Sequence, residues 1–225
     1  MVIGSRTAPA GRPPAGLPGL DPAWSRVVEV TGADGHRWRW HVLDSAPQAD
    51  SAQPTLLCLH GNPTWSYLWR RMFGAAPDGW RVLAPDQLGM GYSERLATAV
   101  TLADRVRQLG ELTAAMGITG PVVTLAHDWG GIISLGWALE HQDQVQAVVL
   151  TNTAVHQPQD SRPPVLIRLA HLPALRDLLC VRTPVFLRSA TALSWPPLDR
   201  GTRAAFAAPY RGTGRRRSIG DFVAD

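Results

Sequence analysis

The stretch Pro121-Val122-Val123-Thr124-Leu125-Ala126-His127-Asp128-Trp129-Gly130-Gly131 decides how this chain folds. An apolar run of strand type stops at a small-x-Asp-x-small-small pattern, and Gly130 to His141 then reads as a helix. A turn that sharp lifts its central side chain off the end of the sheet. Small residues on either side let the backbone turn so tightly. The side chain displayed is Asp128, where serine is the commoner occupant. A carboxylate in that place is a candidate nucleophile toward saturated carbon, leaving an alkyl ester on the enzyme. The plainer alternative is a capped or salt-bridged structural acid, and the elbow context favours the nucleophile.

The pattern continues on both sides. Trp24 to Val30 and Arg37 to Leu43 alternate with a two-residue period, and Ala33-Asp34-Gly35 supplies turn chemistry for a hairpin. Thr55 to Leu59 and Trp80 to Ala84 are short apolar runs, as expected of strands covered on both faces. Ser66 to Gly74 and Thr101 to Met116 predict helices, the second stopping at Gly117. Val145 to Leu150 is a further strand. Strands alternating with helices imply βαβ units and a mostly parallel sheet, so the class is α/β. From Val155 prolines interrupt short helical pieces and no apolar strand follows. The expected organisation is a loose Pro/Gly-rich arm over 1–21, a core over 22–157 and a helical lid over 158–225, laid where such sheets bind ligands.

Composition narrows the classes. The 225 residues are 45% hydrophobic, which fits one globular domain with room for an inserted subdomain. All 22 basic residues are arginine and the net charge is only +4. The densest basic run, Arg211 to Arg217, lacks aromatic interleaving and reads as a solvated surface, not a nucleic-acid patch. Cys58 and Cys180 read as buried thiols. No stretch has the length of a membrane span or the apolar core of a signal peptide, so a cytoplasmic location is the expectation. No cofactor or metal is implied.

Three motifs converge at strand ends: His60-Gly61-Asn62-Pro63-Thr64-Trp65-Ser66-Tyr67-Leu68-Trp69-Arg70, then Pro85-Asp86-Gln87-Leu88-Gly89-Met90-Gly91-Tyr92-Ser93, then the Asp128 elbow. In this order they resemble the α/β-hydrolase fold, and within it the haloalkane-dehalogenase-like branch. Five segments, Leu17 to Val30, His60 to Met72, Asp86 to Arg95, Asn152 to Pro158 and Phe206 to Gly212, are similar to the β-lactone decarboxylases of long-chain olefin biosynthesis. Such decarboxylases are often the front part of a fusion with a β-lactone synthetase. The resemblance implies a small apolar substrate, a β-lactone or a haloalkane, and membership of a multienzyme olefin-synthesis complex or a fused synthetase.

The resemblance also implies roles. Asp128 is the nucleophile. The Trp129 backbone N–H and the Asn62 backbone N–H form the oxyanion pair, and the Trp129 indole and Asn62 amide hold the departing anion. His60 and His127 read as structural and Asp86 as a loop brace. Trp195, in the lid, is a candidate pocket wall. The family's order is nucleophile, acid, histidine, with the acid after the sixth or seventh strand and the histidine after the eighth. Asn152 stands where some dehalogenases carry a glutamate. His141, His156 and His171 all precede any such later strand. The chain thus reads as a C-terminally truncated piece lacking base and acid, with its last strands and helix missing, and inactive alone. Two alternatives stay open. An epoxide hydrolase needs a lid tyrosine, and only Tyr210 offers one. A non-catalytic binding remnant would have kept the pocket and lost the base.

Overall fold

Six strands carry the chain in the computed structural model, which describes residues 8–155 and 165–225. They are β1 (Ser25–Thr31), β2 (Arg37–Asp44), β3 (Thr55–Leu59), β4 (Arg81–Pro85), β5 (Val122–His127) and β6 (Val145–Thr151). Their order in the sheet is β1-β2-β4-β3-β5-β6. β1 and β2 are antiparallel, with Ser25 opposite Leu43. Their turn closes as the Gly32 N–H donates to the His36 carbonyl at 2.8 Å and the His36 N–H to Asp34 Oδ1 at 2.9 Å. β2 runs antiparallel to β4, while β3, β4, β5 and β6 are mutually parallel. Every residue of β4 is buried, and so are Leu57, Cys58 and Leu59 of β3, which is why these strands read as unbroken apolar runs.

From β3 the chain first builds β4 on one side and then β5 on the other. That reversal opens a crevice beyond the carboxyl ends of β3 and β5. Helix α1 (Leu102–Ala115) starts at a reciprocal cap. Thr101 Oγ1 accepts from the Asp104 N–H at 3.2 Å, and Asp104 Oδ2 accepts from the Thr101 N–H at 3.0 Å. Helix α2 (Trp129–Glu140) packs across α1 and the sheet. Ser66–Gly74 is helical as expected, and winds as a 3-10 helix.

After β6 come α3 (Val165–Ala170), α4 (Pro173–Arg176), a wider helical turn over Asp177–Arg182, α5 (Val185–Ala192), α6 (Arg200–Ala207) and α7 (Arg217–Ala224). Proline opens α4 and immediately precedes α5, where its missing N–H costs nothing. The expected lid boundary at 157/158 lies outside the described residues. Among those described, no helix is long and apolar enough to cross a membrane. Both cysteine thiols are buried and unbridged, and burial raises Cys180 to about 11.

The arm, expected to be loose, is held over 8–20. The Gly11 N–H donates to the Tyr92 carbonyl and the Arg95 N–H to the Ala8 carbonyl, each at 2.9 Å. The Tyr67 hydroxyl donates to the Pro18 carbonyl at 2.6 Å, and Leu20 is buried. A proline-rich chain has little conformational freedom to lose, so a few contacts hold it.

Asp86 ties the loops beneath the crevice together. It is fully buried, and its carboxylate accepts from the Ser66 N–H at 2.7 Å, the Tyr92 N–H at 2.7 Å and His41 Nδ1 at 2.8 Å. Burial alone would raise its pKa. The charge and hydrogen bond of His41, with His60 and the Tyr92 N–H, outweigh burial and hold the carboxyl below its ordinary range. A depressed folded pKa adds stability above the unfolded value and loses it as pH falls through the folded one. Asp86→Asn is expected to cost roughly 3 kcal/mol at neutral pH, the scale of breaking a buried pair. Urea titrations at descending pH should show the gap to the parent closing below about pH 4.

Candidate active site

The register between β3 and β5 sets the site. Leu59 lies opposite Ala126, so the residues just beyond the two strands, Gly61 and Asn62 on one and Asp128 on the other, come together. Asp128 has φ 54° and ψ −131°, a backbone conformation rare for any residue other than glycine. The neighbours hold it there. The Gly131 N–H donates to the Asp128 carbonyl at 2.8 Å, and the Thr153 hydroxyl donates to the same oxygen at 2.7 Å. The elbow also needs close approach. A Cβ on Gly130 would overlap the Leu59 and His60 carbonyls, and one on Gly61 would overlap the Asp128 carboxylate itself.

The Asn62 N–H donates to Asp128 Oδ1 at 2.7 Å. The Trp129 N–H, at the start of α2, also bonds the carboxylate. The two donors expected to form an oxyanion hole thus face the aspartate's own carboxylate, the Asn62 N–H on Oδ1. A serine enzyme would place a substrate oxygen there. An alkyl ester on the other oxygen would leave its carbonyl in the same cradle. Burial raises the Asp128 pKa, while the Trp129 and Asn62 donors and His127 pull it back, and the net shift is upward.

Asp128, Asn62 and Trp129 all line one cavity of about 830 Å³, within the range of small-molecule sites. Its walls are largely apolar and include Ile132, Ile167, Phe186, Phe222 and Val223. The Asn62 amide is partly committed: Nδ2 donates to the Ile219 carbonyl of α7 at 3.0 Å, and buried Oδ1 has no partner. The Trp129 ring meets Phe222 edge-on at 5.6 Å between centroids.

Trp195 is not a wall of this cavity. It is 90% exposed, in the connection between α5 and α6, which turns it to the outside ahead of Pro196 and Pro197. Tyr210 is equally remote. Its buried hydroxyl donates to the Thr64 carbonyl at 2.7 Å and accepts from the Gly91 N–H at 3.1 Å. His60 is held by neighbours: the Gln87 N–H donates to Nε2 at 3.0 Å, which leaves Nδ1–H to donate to the Gly61 carbonyl at 2.9 Å. Burial lowers its pKa, so it sits as a neutral brace. His127 is also lowered by burial, and its Nδ1 has no partner. His141 stacks on Trp137 at 4.4 Å. His156 lies outside the described residues.

Sequence reasoning missed the roles of three residues. Asn152 lines the cavity with a φ of 44°. Thr153 braces the elbow, and His171, from the turn after α3, also faces the cavity. Asn152 and Thr153, directly after β6, carried a signal, since residues just beyond a parallel strand border the crevice. His171 carried none, because its position depends on how the helices fold back. Among the described residues no three His, Cys, Asp or Glu side chains gather as a metal cluster would require.

A family model described as alpha/beta hydrolase fold matches residues 54–179. The chain is 36% identical over 196 residues to the cis-3-alkyl-4-alkyloxetan-2-one decarboxylase of Xanthomonas campestris pv. campestris, covering 81% of this chain and 63% of that protein. It is 40% identical over 121 residues to haloalkane dehalogenase 2 of Mycobacterium bovis, covering 53% of this chain and 40% of that protein. The chain therefore spans less than two thirds of the length of these relatives. Among solved structures, the tetrameric haloalkane dehalogenase DpaA from Paraglaciecola agarilytica NO2 superposes with a TM-score of 0.76 at 25% identity, covering 96% of this chain and 71% of that one.

The raised pKa of Asp128 has a consequence for stability. A carboxyl raised on folding supports the fold while protonated and works against it once pH rises through the folded value. Asp128→Asn keeps an acceptor for the Asn62 N–H and removes the buried charge. It is expected to raise stability at pH 7 by about 1 kcal/mol, the scale of stability–function trade-offs. Thermal melts should show that gain shrinking as the pH is lowered toward about 4.

Proposed function

This chain belongs to the alpha/beta hydrolase fold family, and on that premise we propose that Asp128 is a nucleophile toward saturated carbon in small apolar substrates. The preferred reaction is decarboxylation of cis-disubstituted β-lactones to cis-alkenes. The observation that carries this reading is the cradled carboxylate. Oδ1 is held by the Asn62 N–H, which leaves Oδ2 to attack from the floor of a mainly apolar cavity.

The chemistry balances with these groups alone. Oδ2 attacks ring carbon C4 from the back, the C4–O1 bond breaks, and the ring carboxyl is released as a carboxylate on C3. The C3–C2 bond then breaks. Its electron pair forms the C3–C4 double bond, the C4–Oδ2 bond breaks, and carbon dioxide leaves with the Asp128 carboxylate restored. Back-side attack sets the ester oxygen opposite the carboxylate, so elimination needs no rotation and both alkyl groups stay on one side. No water is consumed and no proton moves. The amide hydrogen of Asn62 not used by Ile219, with the Trp129 indole, would steady the freed carboxylate. The 36% identity to an oxetanone decarboxylase supports this choice.

Haloalkane dehalogenation is the second reading, supported by the M. bovis relative. Its alkyl ester must be cleaved by water, which needs an activating base, and the sequence assigns that role to none of its histidines. We read the helices over 165–225 as the cap of this crevice, the location as cytoplasmic, and the setting as a β-lactone-forming complex or fusion. The epoxide reading loses its support, because the buried Tyr210 hydroxyl is held by the Thr64 carbonyl, the Gly91 N–H and Met90 Sδ and does not line the cavity.

The test is chemical. A 1-bromoalkane is expected to leave one alkyl group on Asp128, seen by intact mass and peptide mapping, with one bromide released per chain. A cis-3,4-dialkyl-oxetan-2-one is expected to yield cis-alkene and carbon dioxide. Asp128→Asn should lower both by on the order of 10³-fold or more. Binding without an adduct from either substrate would make the chain a binding module and overturn the nucleophile assignment.

A further inference from the structure

We propose that the outer end of the helical segment, where α5 passes to α6, docks on an anionic lipid surface. The inner face of α5 buries Phe186 and Leu187, and Phe186 lines the cavity over Asp128. The outer face shows Val185, Arg188 and Ala192 to solvent. Beyond the helix, Leu193 is 81% exposed and Trp195 90%, and Pro196 and Pro197 are exposed beside them. Arg200 and Arg203, three apart on the first turn of α6, are exposed as well.

The charge of this tip is one-sided. Between residues 185 and 207 the three arginines face a single acid, Asp199. The Asp199 carboxylate is spent on α6, accepting from the Thr202 N–H at 2.8 Å and the Thr202 hydroxyl at 2.6 Å. Among the described residues, none of Arg188, Arg200 or Arg203 pairs with a carboxylate. An indole and a leucine held out beside two stiff prolines and ringed by guanidinium groups match the acyl boundary and the phosphate layer of a bilayer. Tryptophan prefers that depth because its ring is apolar and its N–H stays wet. Arginine supplies the attraction to anionic headgroups. A water-soluble partner would leave the same Trp195 and Leu193 exposed whenever the two separated.

Docking there sets the Phe186 wall of the cavity next to the membrane, where an apolar substrate concentrates. The proposal goes beyond the catalytic reading and uses no catalytic step, so either can fail alone. Flotation with phosphatidylcholine vesicles containing one-third phosphatidylglycerol is expected to carry the chain, and pure phosphatidylcholine vesicles are not. Arg188→Gln with Arg200→Gln and Arg203→Gln should weaken binding about 100-fold, near fivefold per charge. Leu193→Ser with Trp195→Ser should weaken it about tenfold. Circular dichroism confirms that each variant is folded. No flotation, equal flotation on both vesicle types, or a self-association in sedimentation that Trp195→Ser abolishes without any vesicle binding would overturn the proposal.

Discussion

The bond from the Asn62 N–H to Asp128 Oδ1, 2.7 Å long, is the contact on which the rest of the site depends. It joins the loop after β3 to the elbow after β5, and so spans the place where the strand order reverses. It asks for two things that resist one another. Asp128 must occupy a strained backbone state, and its charge must survive in a half-buried place where charge is disfavoured. Strain of this kind persists only where the surroundings over-determine it. Here they do, through Thr153, Gly131 and the glycine contacts on either side.

The layer beneath is a scaffold of buried polar contacts. His60 is braced at both ring nitrogens, and the Gln87 amide also donates to its carbonyl at 2.5 Å. Asp86 gathers the 3-10 helix, β2 and the Gly89–Ser93 turn. Arg95, pushed down to about 10 by burial, donates to the carbonyls of Gly89, Gly91 and Pro209. Buried hydrogen bonds of this kind rigidify the loops they join. That rigidity suits the nucleophile role proposed for Asp128, whose oxygen must then face one carbon at one angle.

The helices after β6 complete the site from the opposite side. α7 does so directly: Ile219 takes the Asn62 amide, Phe222 meets the Trp129 ring, and the Arg105 guanidinium lies 3.6 Å over the Phe222 ring from α1. Phe222 and Val223 also belong to the cavity wall. The C-terminal helix is thus packed simultaneously on the core helix and on two proposed site residues, so a change in its position would be felt by both.

The sequence by itself determined the α/β class, the sheet strands to within a residue or two, the elbow at Asp128 and its pairing with Asn62 and Trp129. Each rests on local rules: a two- or 3.6-residue period, small residues at a tight turn, donors directly beyond a strand. It also pointed to His60 and Asp86 as braces, since both stand at strand ends. What only the tertiary structure decided concerns residues far apart in the chain. The arm over 8–20 lies against Tyr67, Tyr92 and Arg95, not free. Trp195 faces outward, and His171 and Asn152 face the cavity. The direction of a side chain on a short, proline-punctuated helix is set by what that helix packs against, and no local period records it.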